Sequence, residues 1–171
     1  MKELRLAGVI RESIVDGPGM RMTIFTQGCP HNCEGCHNPQ THDFNGGYIS
    51  HPENILKELD KDKLLRGVTF SGGEPFMQPE ALAELALEIH KRGLDIVTYT
   101  GFTFEQLIDS FDKHPERRLL LEQTDYLIDG KFVLSLRSLE LHFRGSSNQR
   151  IIDVKKSLEE GRAVEVEGDF K

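Results

Sequence analysis

The three cysteines of the chain, Cys29, Cys33 and Cys36, lie close together with the spacing C-x3-C-x2-C. Three thiols cannot all pair with one another, so at least one must stay free, bind a metal or pair outside the molecule. Thiolates are the protein ligands of iron–sulfur clusters, and a four-iron cluster normally takes four of them. With three thiolates, one iron would lack a protein sulfur ligand. By analogy with open zinc sites, that iron is expected to bind a substrate.

Two other chemistries use the same residues. A zinc site with three cysteines and one histidine could form with a neighbouring imidazole, that of His31, His37 or His42. Such sites usually take their ligands from two separated pairs, whereas these thiols are crowded into one loop. A thioredoxin-like redox pair, Cys33 with Cys36, would leave Cys29 unexplained. The spacing favours the cluster and leaves both alternatives open.

A second candidate site is the segment Ser71-Gly72-Gly73-Glu74-Pro75, which follows a predicted strand. Glycines at the end of a strand let a ligand approach the backbone closely, because no side chain is in the way. Glu74 could place an acceptor at the same point. A strand-to-helix turn with positive φ would use the same glycines, and the glycine pair alone favours this structural interpretation.

The predicted order of strands and helices around these motifs indicates an α/β fold. Runs rich in β-branched and aromatic residues predict strands at 9–15, 21–27, 64–70, 94–100, 124–130, 139–143, 151–154 and 163–167. Apolar residues at helical spacing predict helices at 50–59, 79–92 and 104–111 and a helical turn at 155–160. This alternation implies a parallel sheet with helices on its outer side and reactive loops at the carboxyl ends of the strands. The units are too few for a closed eight-stranded barrel.

Length and composition restrict the class of protein. A chain of 171 residues favours one domain spanning 1–171. The formal net charge of −7 argues against a general nucleic-acid surface, and no apolar run is long enough to span a membrane. The start lacks the apolar core of a secretion signal, so we expect a cytoplasmic protein, where unpaired cysteines stay reduced.

The cysteine spacing resembles the cluster motif of the radical S-adenosylmethionine superfamily. The segment from Asp16 to Arg21, which reads DGPGMR, is similar to the glycyl-radical-enzyme activases of that superfamily. Three further segments resemble the activating proteins of the anaerobic ribonucleoside-triphosphate reductase: Tyr99-Thr100-Gly101, Asp129-Gly130-Lys131-Phe132 and Arg144-Gly145-Ser146-Ser147-Asn148-Gln149-Arg150. The resemblance extends from about Val9 to Gln149.

This resemblance implies a shortened, open partial (β/α) barrel of the radical S-adenosylmethionine type. Its cofactors would be a 4Fe-4S cluster, held by Cys29, Cys33 and Cys36, and S-adenosyl-L-methionine. In the superfamily the Gly-Gly-Glu segment contacts the amino group of the methionine moiety, and in the activases an aspartate and a lysine lie near its carboxylate. The residues expected to bind S-adenosyl-L-methionine are therefore Gly72, Gly73, Glu74, Thr100, Asp129 and Lys131. No side chain is expected to act as a catalytic acid or base.

The implied reaction is reductive cleavage of S-adenosyl-L-methionine to a 5′-deoxyadenosyl radical, which removes hydrogen from a backbone glycine of the reductase large subunit. The expected partners are that subunit and a low-potential electron donor such as flavodoxin, and the protein could also form a homodimer. We expect it to bind neither nucleic acid nor a membrane. The polar turn from Arg144 to Arg150 is expected near the cofactor or the docked substrate. Alternatives are an activase of another glycyl-radical enzyme such as pyruvate formate-lyase, small-molecule radical chemistry, and a zinc-binding interaction module.

Overall fold

The structure is a computed structural model that describes residues 1–168 and 170. Its strands are β1 (Leu4–Ser13), β2 (Arg21–Thr26), β3 (Tyr48–Ser50), β4 (Gly67–Gly72), β5 (Asp95–Tyr99), β6 (Tyr126–Asp129) and β7 (Arg150–Asp153). Its helices are α1 (Pro52–Lys61), α2 (Pro79–Lys91), α3 (Phe104–Ser110), α4 (Glu116–Gln123) and α5 (Val154–Glu160). The strands form one open sheet in the order β3-β1-β2-β4-β5-β6-β7. In the described part of the chain, no helix combines the length and the apolar character needed to cross a bilayer.

The centre of the sheet is parallel and its edges are antiparallel. Strands β2, β4, β5 and β6 run parallel, whereas β1, β3 and β7 pair antiparallel with their neighbours. Parallel neighbours need a crossover, while a short turn such as Asp16–Gly19 can join only antiparallel strands. The expectation of a wholly parallel sheet is therefore wrong at the edges. The four central strands direct their carboxyl ends to the same edge.

Helices cover one face of this sheet. Met22, Ile24, Val68 and Phe70 point to that face and are almost completely buried against α2 and its neighbours. Because side chains alternate along a strand, the residues between them point to the opposite face. There the polar Arg21, Thr23 and Thr69 are also buried. Around these three residues the opposite face is therefore polar although it is buried.

The turn Asp16–Gly19 covers part of this polar face. Asp16 Oδ2 accepts a hydrogen bond from Thr23 Oγ1 at 3.0 Å, and its carbonyl oxygen accepts one from Thr69 Oγ1 at 2.8 Å. Arg21 donates to the carbonyl of Pro18 at 3.0 Å and pairs with Asp95 at 2.5 Å. The DGPGMR segment is thus fastened to the sheet by its own polar groups.

Several local expectations are wrong. Ser50 belongs to β3 and does not cap α1. Helix α1 begins at Pro52, with His51 at its N-cap, because proline is well suited to the first position of a helix. Residues 139–143 do not form a strand, since Leu139 is 94% exposed and Phe143 has φ of +60°. The segment 163–167 contributes only one bridge to the sheet, between Glu165 and Ile152.

Two elements differ from the sequence interpretation in other ways. Helix α4 was not expected, and it packs Leu120 and Leu121 into the core. Strand β1 was expected only over 9–15, at an edge, but it begins at Leu4 and lies between β2 and β3.

Candidate cofactor site

One cavity of about 380 Å³ lies at the carboxyl ends of the parallel strands. The thiols of Cys29, Cys33 and Cys36, which follow β2, border it. The strand ends that border it carry small residues: Gly72 and Gly73 at β4, Thr100 and Gly101 after β5, and Gly130 after β6. The structure therefore brings three predicted cluster ligands and three predicted cofactor-binding residues, Gly72, Gly73 and Thr100, to one place.

Backbone hydrogen bonds position the start of the cysteine loop. Gly28 N donates to Thr41 O at 2.7 Å, and Cys29 N donates to His42 O at 3.2 Å. Gly28 O accepts from Glu74 N at 2.8 Å, which fastens the loop to the segment after β4. The loop is therefore held by groups of the chain itself.

The donor set fits an iron–sulfur cluster. Burial raises the pKa of both Cys29 and Cys33 above the ordinary thiol value; metal coordination is what deprotonates such thiols. Within residues 1–168 and 170, no three His, Cys, Asp or Glu side chains are grouped as ligands of a single metal ion. A four-iron cluster takes one thiolate per iron and so distributes its thiolates over different metal atoms.

Glu74 is fully buried, and protein donors surround its carboxylate. Thr100 Oγ1 lies 2.9 Å from Oε1 and 2.8 Å from Oε2, Gly101 N donates to Oε1 at 2.8 Å, and Phe76 N donates to Oε2 at 3.1 Å. Glu74 is not among the residues that border the cavity. Its side chain therefore connects parts of the site to one another.

His31 completes this network. Its side chain is only 6% exposed, its Nε2 lies 2.5 Å from Glu74 Oε1, and its ring packs edge-to-face on Phe102 with centroids 4.6 Å apart. Because a carboxylate accepts hydrogen bonds, Nε2 is the donor. The sequence interpretation considered His31 only as a possible ligand of a zinc site and missed this contact with Glu74, for which the sequence around His31 carries no signal.

Gly72 and Gly73 are required by backbone packing as well as by the cavity. Gly72 has φ of +95°, and a Cβ added there would lie 2.5 Å from Thr26 N. A Cβ on Gly73 would lie 2.4 Å from Gly28 O. The two glycines are therefore needed for the turn itself, as the structural interpretation predicts. The same two residues also border the cavity.

The structure does not place Asp129 and Lys131 at this cavity. Asp129 is 1% exposed, and its Oδ2 accepts from Phe104 N at 2.8 Å and from Arg150 Nη2 at 2.5 Å. Lys131 is exposed and borders a second cavity of about 460 Å³, which shares His31 and Cys33 with the first. Their role in binding the cofactor stays a prediction.

Two comparisons with known proteins point to the same family. The model of a family described as a 4Fe-4S single cluster domain matches residues 15–152. The anaerobic ribonucleoside-triphosphate reductase-activating protein of Salmonella typhimurium is 37% identical over 145 residues, 80% of this chain and 90% of its own length. The protein of the same name from Escherichia coli K12 is 34% identical over 146 residues, again 80% and 90%.

Two more distant similarities extend this picture. The pyruvate formate-lyase-activating enzyme of Clostridium pasteurianum is 35% identical over 117 residues, 63% of this chain and 49% of that enzyme. The crystal structure of QueE from Escherichia coli superposes with a TM-score of 0.50 at 18% identity, over 59% of this chain and 54% of that chain. At this identity the likeness to QueE concerns the fold alone.

Proposed function

The chain belongs to the family of anaerobic ribonucleoside-triphosphate reductase-activating proteins, and we propose that it forms a glycyl radical on that reductase. It is an oxidoreductase of the radical S-adenosylmethionine type, with a 4Fe-4S cluster and S-adenosyl-L-methionine as cofactors. When bound, the cluster supplies the electron that cleaves S-adenosyl-L-methionine to methionine and a 5′-deoxyadenosyl radical, which takes hydrogen from a backbone glycine of the reductase large subunit.

One observation carries this assignment: the three thiols and the glycine-rich strand ends border the same cavity. A cluster needs thiolates, and a ligand beside it needs polar backbone that it can approach closely. Cys29, Cys33 and Cys36 would each hold one iron, which leaves one iron for the second cofactor. The 4Fe-4S description of the matched family supports this reading over a zinc-binding module.

Backbone groups are the proposed partners of the ammonium of S-adenosyl-L-methionine. Gly72 and Gly73 border the cavity without side chains, and their carbonyl oxygens are suitable acceptors for a cation. The Glu74 carboxylate is occupied by donors from the protein, so its proposed contribution is to hold the site together. Asp129 and Lys131 have less support as cofactor-binding residues, because neither borders this cavity.

The chain itself positions and encloses the reactants, and no acid or base is required of it. The cysteine loop is fastened at Gly28 and Cys29, so the three thiols are presented from a fixed frame. The His31 side chain, which is 6% exposed, contributes a largely desolvated part of the cavity wall.

The finer features of the proposal concern architecture and partners. The open sheet would be a shortened partial (β/α) barrel, and residues 1–171 would form one cytoplasmic domain. An open sheet leaves room at its edge for a glycine loop of the reductase. A low-potential protein such as flavodoxin would deliver the electron, and analytical ultracentrifugation would establish whether the protein is a homodimer.

The function is tested by mixing anaerobically reconstituted, reduced protein with S-adenosyl-L-methionine and the reductase large subunit, then recording electron paramagnetic resonance spectra. A glycyl signal that depends on all three components is the expected result. A parallel sample with pyruvate formate-lyase tests the second candidate function, which the similarity to the Clostridium pasteurianum enzyme favours. A signal only with that enzyme would replace the reductase as the substrate, and no signal with either would contradict the proposal.

A further inference from the structure

Helix α4 carries a buried cation, Arg117, which is 8% exposed. Among the lysines and arginines of the described residues, only Arg21 is as deeply buried. Arg21 pairs with Asp95, whereas none of the ion pairs within residues 1–168 and 170 includes Arg117. Burying a charge is costly unless another group stabilises it, so Arg117 must find its stabilisation elsewhere.

An aromatic ring takes the place of a carboxylate beside Arg117. The guanidinium carbon lies over the ring of Phe102, 4.8 Å from its centroid, and Nη2 donates to Sδ of Met77 at 3.8 Å. A thioether is a weak acceptor, so the ring is the stronger partner. Planar guanidinium groups stack well on aromatic faces, and this attraction increases when the cation is removed from water. Arg117 therefore fixes the ring of Phe102 from the side of α4.

Phe102 connects α4 to the cysteine loop. Its backbone N donates to Thr100 Oγ1 at 3.1 Å, and its carbonyl oxygen accepts from Gly130 N at 2.9 Å. These bonds attach its backbone to the ends of β5 and β6. Its ring packs against the ring of His31, with centroids 4.6 Å apart. One ring thus contacts Arg117 and His31 together.

His31 stands between the first two cysteines of the loop and is held by three groups. Its Nε2 bonds Glu74, and Phe102 packs against its ring. The ring also lies directly on the backbone of Gly101, where an added Cβ would be 2.4 Å from Cδ2 of His31. The position of this part of the loop therefore depends on the contact between His31 and Phe102.

We propose that Arg117 is a positioning residue for the cluster. Stacked on Phe102, it holds His31 against Glu74 and so keeps the cysteine loop closed around the bound cluster. Arg117 does not border the cavity, so it acts only through these rings. Without the guanidinium the loop opens more often and exposes the iron to solvent. The inference rests on the proposed function only in requiring that the protein binds a cluster.

The test measures how fast a chelator removes iron from the anaerobically cluster-loaded protein, followed by the loss of visible absorption. Arg117→Gln should release iron about tenfold faster than the wild type, because local opening of the loop becomes more frequent. Arg117→Lys keeps the charge and loses the planar group, so its rate should lie between these two. Arg118→Gln is the matched control: it removes the same charge from a side chain of α4 that is 68% exposed, and its rate should be that of the wild type.

The same measurement in a His31→Ala background shows whether Arg117 acts through that ring. His31→Ala alone should already release iron rapidly, and adding Arg117→Gln should then change the rate by less than about twofold, because the contact is already lost. A general loss of stability would instead accelerate release in both backgrounds. Circular dichroism melts establish which variants are folded, and Arg117→Lys serves for the comparison if Arg117→Gln is not.

Three results would overturn the inference while leaving the proposed function intact. They are a wild-type rate in every folded Arg117 variant, equal acceleration in the two backgrounds, and acceleration by Arg118→Gln as large as that by Arg117→Gln. A wild-type protein that binds no iron would overturn the proposed function, and the inference with it.

Discussion

His31 Nε2 lies 2.5 Å from Glu74 Oε1, and this contact joins two motifs that are 43 residues apart in the chain. Through it the cysteine loop is connected to the segment after β4, and Thr100 and Gly101 connect the same carboxylate to the end of β5. A fully buried carboxylate with this many donors stabilises the arrangement only while every partner is present. Glu74 is thus a junction between three strand ends.

Glu74→Ala tests this junction in the metal-free protein. The substitution leaves the buried donors of His31, Thr100 and Gly101 without their acceptor, so the free energy of unfolding should fall by about 3 kcal/mol. Urea denaturation under anaerobic conditions measures the change. Glu159→Ala, at an exposed carboxylate on α5, is the control and should stay within about 0.5 kcal/mol of the wild type. Unchanged stability of Glu74→Ala would show that the carboxylate is not a structural junction.

His31→Ala and the double variant with Glu74→Ala test the contact itself. Residues in direct contact should show non-additive effects, and we expect a coupling of about 1 kcal/mol or more in the free energy of unfolding. The same denaturation experiment gives all four corners of the cycle. Additive losses would mean that the two side chains act independently.

Gly72→Ala tests the close packing of β4 on β2. The new Cβ would combine an unfavourable positive φ with a backbone contact of 2.5 Å to Thr26 N. Gly93 provides a matched control, because it also has positive φ, +74°, but a Cβ there meets none of the described residues within 4 Å. We expect Gly72→Ala to lower the free energy of unfolding by at least about 1 kcal/mol more than Gly93→Ala does. Equal losses would show that strain in φ, and not the contact, determines the cost.

Removal of the cluster should leave the fold intact. In the described residues, the hydrophobic core takes most of its members from the sheet and the helices and none from the cysteine loop. Cys29→Ser, Cys33→Ser and Cys36→Ser should therefore each lose bound iron and cleavage of S-adenosyl-L-methionine while the far-ultraviolet circular dichroism stays that of the wild type. Iron analysis and visible absorption measure the first effect. Wild-type iron content in any one variant would count against that cysteine as a ligand, and loss of secondary structure would show that the cluster supplies folding energy.

Tyr99 should make the protein sensitive to alkali. Burial raises the pKa of Tyr99 above its ordinary value of 10.0, and the charge of Asp16 acts in the same direction. The folded state then keeps a proton that the unfolded state releases, so this stabilisation is complete below pH 10 and decreases as the pH rises above it.

Tyr99→Phe should remove that pH dependence. It should also lower the free energy of unfolding at pH 7 by about 1 kcal/mol, because the carbonyl of Phe143 loses its hydrogen bond. Denaturation curves recorded between pH 7 and 11 measure both effects. Tyr48→Phe, at an exposed tyrosine of β3, should retain the wild-type profile. A Tyr99→Phe profile parallel to that of the wild type above pH 10 would contradict the prediction.

The sequence by itself determined the central part of the fold and the chemical type of the site. The parallel strands β2, β4, β5 and β6 and the helix α2 lie close to their predicted positions, because strand and helix periodicity and helix-start signals are local properties of the chain. The family was confirmed by its relatives, since three thiols at fixed spacing already limit the possible metal chemistry.

Only the tertiary structure decided how individual polar groups are used. Glu74 was expected to face the cofactor, but its hydrogen-bond partners come from His31, Thr100 and Gly101, which the sheet order brings to it. Arg144 and Arg150 belong to one sequence motif, yet Arg150 pairs with Asp129, whereas Nε of Arg144 has no hydrogen-bond partner among the described residues. The chemical type of a side chain can be read from the sequence. Its hydrogen-bond partners and its exclusion from water depend on contacts between distant segments, which exist only in the folded chain.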